Sequence, residues 1–457
     1  MQDLDWPESF HPTTSEAAMA LRLLALSLTL LAACSSSQRL TADQPATLDA
    51  AAEQYVRLTL SIGEHEPGYV DAYYGPAEWA DEAKSVKRPL AELRAAVIDL
   101  DRRLHRIDTV SLSAMEAKRK AFLSAQLAAA RTRLDMLAGA KLSFDDEAEG
   151  LFAVRPELKP LSAYDPILAE IDARLAGTGP LWKRFDQRSS RTAIPSARLD
   201  GVMRASIDEC RRRTVRHIAL PPGEQFTLEF VTKQSWSGYN WYKGNATSLI
   251  QINTDLPVLI SRAVDLGCHE GYPGHHVLNM LLEQRLYKGR GWVEFSVYPL
   301  YSPQSLLAEG SANYGIELAF PGEDRLAFEA GTLYPLAGLD PATAAQDFEL
   351  LQMRNKLSGA RLTIAKDYLD GRITRDEAVK LTQKYQLLSP ERAEQSIDFT
   401  GKYRTYVVNY GWGLELVRRF VSSAGASPTD RWAAMERILS EPTIPSDLMQ
   451  PSTSATK

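Results

Sequence analysis

Along most of this chain apolar residues recur at every third or fourth position, with charged residues in the intervals. Over Leu90 to Leu104 and Ser113 to Leu137 that spacing predicts amphipathic helices with one buried stripe. Ser196 to His217, Pro341 to Tyr368 and Arg375 to Tyr385 repeat it, and Asp430 to Leu439 reads as a last short helix. Strand signals are few and close together. Gln225 to Val231 alternates apolar and polar residues, and Thr247 to Asn253 does so again. Between them Trp236-Ser237-Gly238-Tyr239-Asn240-Trp241-Tyr242 reads as an aromatic loop with a flexible glycine. The expected fold class is mainly α, of α+β character, with one small sheet.

The N-terminus changes the picture of compartment. Met19-Ala20-Leu21-Arg22, then an apolar run to Ala33 and Cys34, has the basic start and short apolar core of a secretory signal. Leu31-Ala32-Ala33-Cys34 resembles a bacterial lipobox, which implies a lipid anchor on Cys34. Ser35-Ser36-Ser37-Gln38 would supply the polar tether. Residues 1–18 contain acidic residues that suit neither a signal nor a core, so Met19 is the expected start. The expected organisation is a signal region over 1–33, a tether over 34–45, a helical lobe over 46–195 and a catalytic lobe over 196–450. The expected location is the bacterial cell envelope, facing the periplasm.

Charge and cysteine content narrow the function classes. The net charge is −6, and no basic run carries interleaved aromatics, which argues against nucleic acid as a partner. Beyond Cys34 only Cys210 and Cys268 remain, so the chain has no disulfide framework. Oligomeric state is not written in these patterns.

The chemistry concentrates in Cys268-His269-Glu270-Gly271-Tyr272-Pro273-Gly274-His275-His276, which holds three of the seven histidines. Zinc in a hydrolase takes three protein ligands and leaves one position open. His269 is the expected first ligand. Glu270, about 100° further round a helix, can face a metal-activated water as general base. The plain H-E-x-x-H spacing fails, because Pro273 stands four residues after His269. In a straight helix His276 would lie about 10.5 Å along the axis, too far to share an ion, and His275 would point to another face. Pro273 cannot continue the hydrogen-bond ladder, and Gly274 permits an unusual turn. A break that folds the later histidines back toward His269 is therefore expected, with either His275 or His276 as second ligand. Glu309, in Leu307-Ala308-Glu309-Gly310-Ser311-Ala312-Asn313-Tyr314, sits among apolar and small neighbours and is the expected third ligand.

These two motifs, His-Glu-x-x-Pro-Gly-His-His and Glu-Gly-x-Ala-x-Tyr, resemble the bacterial family called domain of unknown function 885. That family is similar to gluzincin metallopeptidases and is often found on lipoproteins. The resemblance is tight over 269–276 and 309–314 and looser over about 200–420; Ser311 stands where the family commonly has tryptophan. Arg361-Leu362 and Asp370-Gly371 are rough counterparts of a further family segment. It implies a gluzincin-like fold in which an edge strand beside the metal receives the substrate backbone, with Thr247–Asn253 as candidate edge. Tyr239, Asn253 and Tyr314 are the candidate substrate contacts. A donor for the developing oxyanion is sought among Arg404, Tyr406 and Tyr410. The resulting expectation is a zinc-dependent peptidase acting on a peptide or small amide. Its rivals are a non-catalytic metal- or peptide-binding lipoprotein and a zinc amidase.

Overall fold

The computed structural model of the protein describes residues 47–450. The expected signal, Cys34, the tether and the tail after Gln450 lie outside the described residues. The fold is mainly α with a small β component. Helix α1 (Leu48–Gly63), strand β1 (Val70–Tyr73) and helices α2 (Leu90–His105), α3 (Ala114–Leu137) and α4 (Phe144–Phe152) lie in the first part of the described chain. The long α3 starts at a capping box: Ser113 Oγ accepts from Glu116 N, and the Glu116 carboxylate accepts from Ser113 N. Such a cap satisfies two orphan amides and contributes about 1 kcal/mol.

Next come α5 (Ser196–Thr214) and the strands β2 (Gln225–Val231), β3 (Gly238–Tyr242) and β4 (Thr247–Asn253). The sheet order is β2-β4-β3, with β2 parallel and β3 antiparallel to β4. Two expectations are corrected here. The segment read as an aromatic loop is largely strand β3, and Thr247–Asn253 is the central strand. The edge beside the histidine segment belongs to β3. Alternation could not reveal this, because the return from β2 to β4 passes through a strand whose aromatic residues hide its period.

Helix α6 (Ile260–Leu266) leads into the histidine segment, and α7 (His275–Leu282) leaves it. Strand β5 (Val297–Pro299) pairs antiparallel with β1. Then follow α8 (Pro303–Ala319), α9 (Ala344–Asn355), α10 (Ala360–Leu369), α11 (Arg375–Gln386) and α12 (Pro390–Tyr403). The expected single helix from Pro341 to Tyr368 is thus broken. Ser358 and Gly359 are weak helix formers, and the Tyr164 hydroxyl fills the space a Cβ on Gly359 would need. Helices α13 (Leu414–Ser423) and α14 (Pro428–Ser440) close the fold.

One core runs from Leu48 and Phe122 through Ile207, Ile250, Val277 and Leu306 to Leu439. A second, smaller cluster packs Tyr164, Ile171 and Phe185 against Leu350, Ile364 and Ile397. The first core surrounds the histidine segment, so the site is built on packed elements rather than on loops.

Candidate metal centre

The helix that carries His269 changes pitch at the site. After α6, residues Gly267–Gly271 widen into a π turn, Tyr272 leaves the helix, and α7 restarts at His275. The Tyr272–Pro273 peptide is cis. Gly274 N donates to Cys268 O at 3.0 Å, closing the turn on itself. A Cβ on Gly274 would stand 1.8 Å from the His269 carbonyl oxygen, so glycine alone fits. The break anticipated from Pro273-Gly274 therefore has a definite form: it folds the chain back so that His275 sits beside His269, with ring centroids 4.6 Å apart.

Cys210 and Cys268 form a disulfide that ties α5 to this turn, one residue before His269. Closing a loop of 58 residues restrains the unfolded chain. By the loop-entropy estimate this contributes about 4 kcal/mol.

Glu309 projects from α8 and is buried. Its Oε1 accepts the Tyr406 hydroxyl at 2.8 Å. Its Oε2 lies 3.1 Å from His269 Nε2 and 3.7 Å from His275 Nε2, yet has no hydrogen bond. Ligands held at ~2.1 Å around a tetrahedral ion stand ~3.4 Å from one another. The two distances bracket that value, so the carboxylate faces both imidazoles at the spacing that neighbouring ligands of one ion would have. Burial pushes the Glu309 carboxyl up, but the facing imidazoles of His269 and His275 outweigh it and hold the group well below the usual range. His269, Glu270 and His275 also present ligand atoms within 4.8 Å of one another. The donor set fits a divalent cation.

The tautomer of His269 follows from its outer partner. Asn313 Nδ2 donates to Tyr410 O at 3.4 Å, which turns Asn313 Oδ1 toward His269 Nδ1 at 3.1 Å. The amide oxygen can only accept, so Nδ1 carries the proton and Nε2 presents a lone pair.

His276 belongs elsewhere, which corrects its candidacy as ligand. It is fully buried, with Nδ1 2.7 Å from Ser248 Oγ on β4 and Nε2 3.3 Å from Glu224 Oε2. Both nitrogens are occupied on the far side of α7 from His269.

Glu270 is anchored through its backbone. Its carbonyl accepts from Asn240 Nδ2 at 2.6 Å, and its side chain lies against Gly238, where a Cβ would approach Oε1 to 3.0 Å. Edge strand β3 thus runs directly past this carboxylate. Burial, reinforced by the Glu309 charge and opposed by His275, pushes the Glu270 carboxyl up to about 7.

The two late tyrosines reach the site because α8 and the π turn Asn409–Gly413 nearly touch. A Cβ on Gly310 would stand 2.5 Å from the Gly413 carbonyl. Tyr406 holds Glu309, while Tyr410 lies nearly parallel to His269 at 6.5 Å. Burial, then the Glu309 charge, raises both hydroxyls well above their ordinary value, so both remain proton donors.

Four candidates point away. Arg404 binds Glu147 through Nε and Nη2, each at 2.7 Å, and so ties α4 to the segment after α12. Tyr314 stands on the other face of α8, where Ser422 and Arg431 influence its hydroxyl; the useful residue is its neighbour Asn313. Tyr239 packs with Trp236 and Trp241, on the face of β3 opposite Gly238 and Asn240. Asn253 spends its amide on the carbonyls of Gln234 and Trp236, holding the approach to β3 in place.

Asp71 was missed. It lies on β1 within the polar-aromatic block Gly63 to Pro76, whose composition suits either a surface turn or a cleft wall and singles out no acid. Pairing with β5 brings it near His275 and Glu309. Burial first, with the Glu309 charge adding and His275 opposing, pushes its carboxyl up to about 7.

No family model and no curated protein matches this chain. Among solved structures it is similar to a protein of Colwellia psychrerythraea at 16% identity and TM-score 0.47, over 89% of this chain and 76% of that one. A Shewanella oneidensis protein of unknown function follows at 12% identity and TM-score 0.47, over 96% and 92%. Both bear the name "putative lipoprotein". At these scores the likeness carries no assignment, and the chemistry rests on the residues themselves.

Proposed function

We propose that this chain is a zinc-dependent hydrolase, a peptidase with a gluzincin-like site, related to the family called domain of unknown function 885. His269, His275 and Glu309 would hold the ion. The observation that carries the reading is the buried Glu309 Oε2, without a hydrogen bond and facing two imidazole nitrogens. Bound there, zinc would supply Lewis acidity and make water a nucleophile at neutral pH. Glu270 would accept the proton released by that water and pass it to the leaving amine. Tyr410, protonated and free of the Tyr406–Glu309 bond, would donate to the developing oxyanion. Among the described residues strand β3 pairs with β4 alone, so an extended peptide could add along its other edge past Glu270.

The proposed setting is the cell envelope, with a lipid anchor on Cys34. Support comes from the Cys210–Cys268 disulfide, which suits an oxidising compartment. Glu270→Gln tests the catalytic reading. The variant should retain its metal and lose turnover on the order of 1,000-fold; a variant that turns over as fast as the parent would remove Glu270 from the mechanism.

A further inference from the structure

Most interior arginines of this protein face a carboxylate. Arg119 binds Glu294, Arg133 binds Glu66, and Arg325 binds both Asp265 and Glu329. Arg361 does not. Among the described residues its guanidinium makes no ion pair and no hydrogen bond, and its Nε is buried without an acceptor. It rests between two rings, with Cζ 5.5 Å from the centroid of Phe399 and 5.4 Å from that of Tyr410. Tyr410 in turn lies against His269. Arg361 is therefore held at the wall of the metal centre, one ring away from its first histidine.

Its position is fixed by packing. Leu362, the next residue on α10, lies where a Cβ on Gly411 would approach to 3.0 Å, so the Arg361-Leu362 pair grips Tyr410-Gly411. Glu309 is a carboxylate that acts on it, but Tyr406 occupies one of its oxygens and the other faces the histidines. Across the site, Arg262 also influences Glu270, yet it is engaged by Asp265 at 3.2 Å. Arg361, by contrast, keeps a donor without an acceptor among the described residues.

A guanidinium whose Nε is buried without an acceptor is costly, and stacking on rings recovers only part of that cost. Its planar edge, Nε with one Nη, matches a carboxylate in a two-bond fork. We propose that Arg361 is a substrate-binding residue that receives a carboxylate close to the bond to be cleaved. The proposal rests on the hydrolase reading for the words "bond to be cleaved", while the carboxylate site stands on the geometry alone. Two sources share this chemistry: the free C-terminus of a peptide, and an acidic side chain next to the scissile bond. The first would make the enzyme trim C-terminal residues; the second would make it cut beside Asp or Glu.

The test uses the full chain loaded with zinc and three N-acetylated peptides alike except at the C-terminal end. One ends in a free carboxylate, one in a carboxamide, and one in a carboxamide with glutamate as the last residue. The parent should favour one carboxylate-bearing peptide over the plain carboxamide on the order of 100-fold in kcat/KM. Whichever peptide is favoured identifies the source. Arg361→Gln should abolish that preference, mainly through KM, and Arg361→Lys should keep part of it. Equal cleavage of all three peptides by the parent would overturn the proposal, as would an equal loss on all three in Arg361→Gln. Should the parent cleave none, calorimetric titration of the same peptides into it separates the two ideas. Binding that needs both the carboxylate and Arg361 keeps this site while the hydrolase reading fails, and no carboxylate-dependent binding ends the proposal.

Discussion

His275 and His276 are neighbours in sequence, and each faces a buried glutamate, but the two clusters are built oppositely. On one side Glu224 is saturated: it accepts from the Tyr272 hydroxyl, from Arg211 and from His276, and His276 is closed by Ser248. On the other side Glu309 keeps a buried oxygen without a hydrogen bond, aimed at two imidazoles whose Nε2 atoms face it. A saturated cluster stabilises a fold. An unsaturated one at this depth marks a place where a further group belongs. The about 100° between consecutive helix residues is enough to send one imidazole to each.

Altering the closed cluster should have the larger effect on stability. Burial raises the Glu224 carboxyl, but hydrogen bonds from His276, Tyr272 and Arg211 outweigh it and lower the group from 4.5 to about 2. Its folded value is depressed, so its contribution is complete above pH 4.5 and fades as pH falls toward 2. Glu224→Gln should cost on the order of 1–2 kcal/mol at neutral pH once solvent screening is allowed for, flatten the acid side of the stability curve and leave metal binding intact. Denaturant unfolding at several pH values checks this, and an unchanged acid slope would show that Glu224 is not the anchor.

On the open side, Asn313→Ala removes the acceptor that sets the His269 tautomer. Metal affinity should fall about 10–100-fold with little change in unfolding, as competition with a chelator would measure. The smallest effect is expected at Tyr239, which packs on the outer face of β3. Tyr239→Ala should leave kcat/KM near the parent value, whereas a large loss would mean that substrate crosses that face.

Much of the site was legible in sequence because it is local. The His-Glu pair, the Pro273-Gly274 break and a carboxylate on a small-residue helix are each visible within a few residues. What was not legible depends on partners far along the chain. The choice between His275 and His276 depends on Ser248 and Glu224, and Asn313 was hidden behind a more conspicuous tyrosine. Several helices and strands β2 and β4 followed from periodicity, but β3 and the strand order did not, since alternation marks a strand without saying who lies beside it. Asp71 escaped for the same reason: only pairing with β5 carries its segment inward.

The most direct measurement is zinc stoichiometry after exhaustive dialysis, compared among the parent, His275→Ala and His276→Ala, each first shown to be folded by circular dichroism. The account predicts one zinc per chain in the parent and in His276→Ala, and none retained in His275→Ala. Full zinc in His275→Ala with loss in His276→Ala would contradict it.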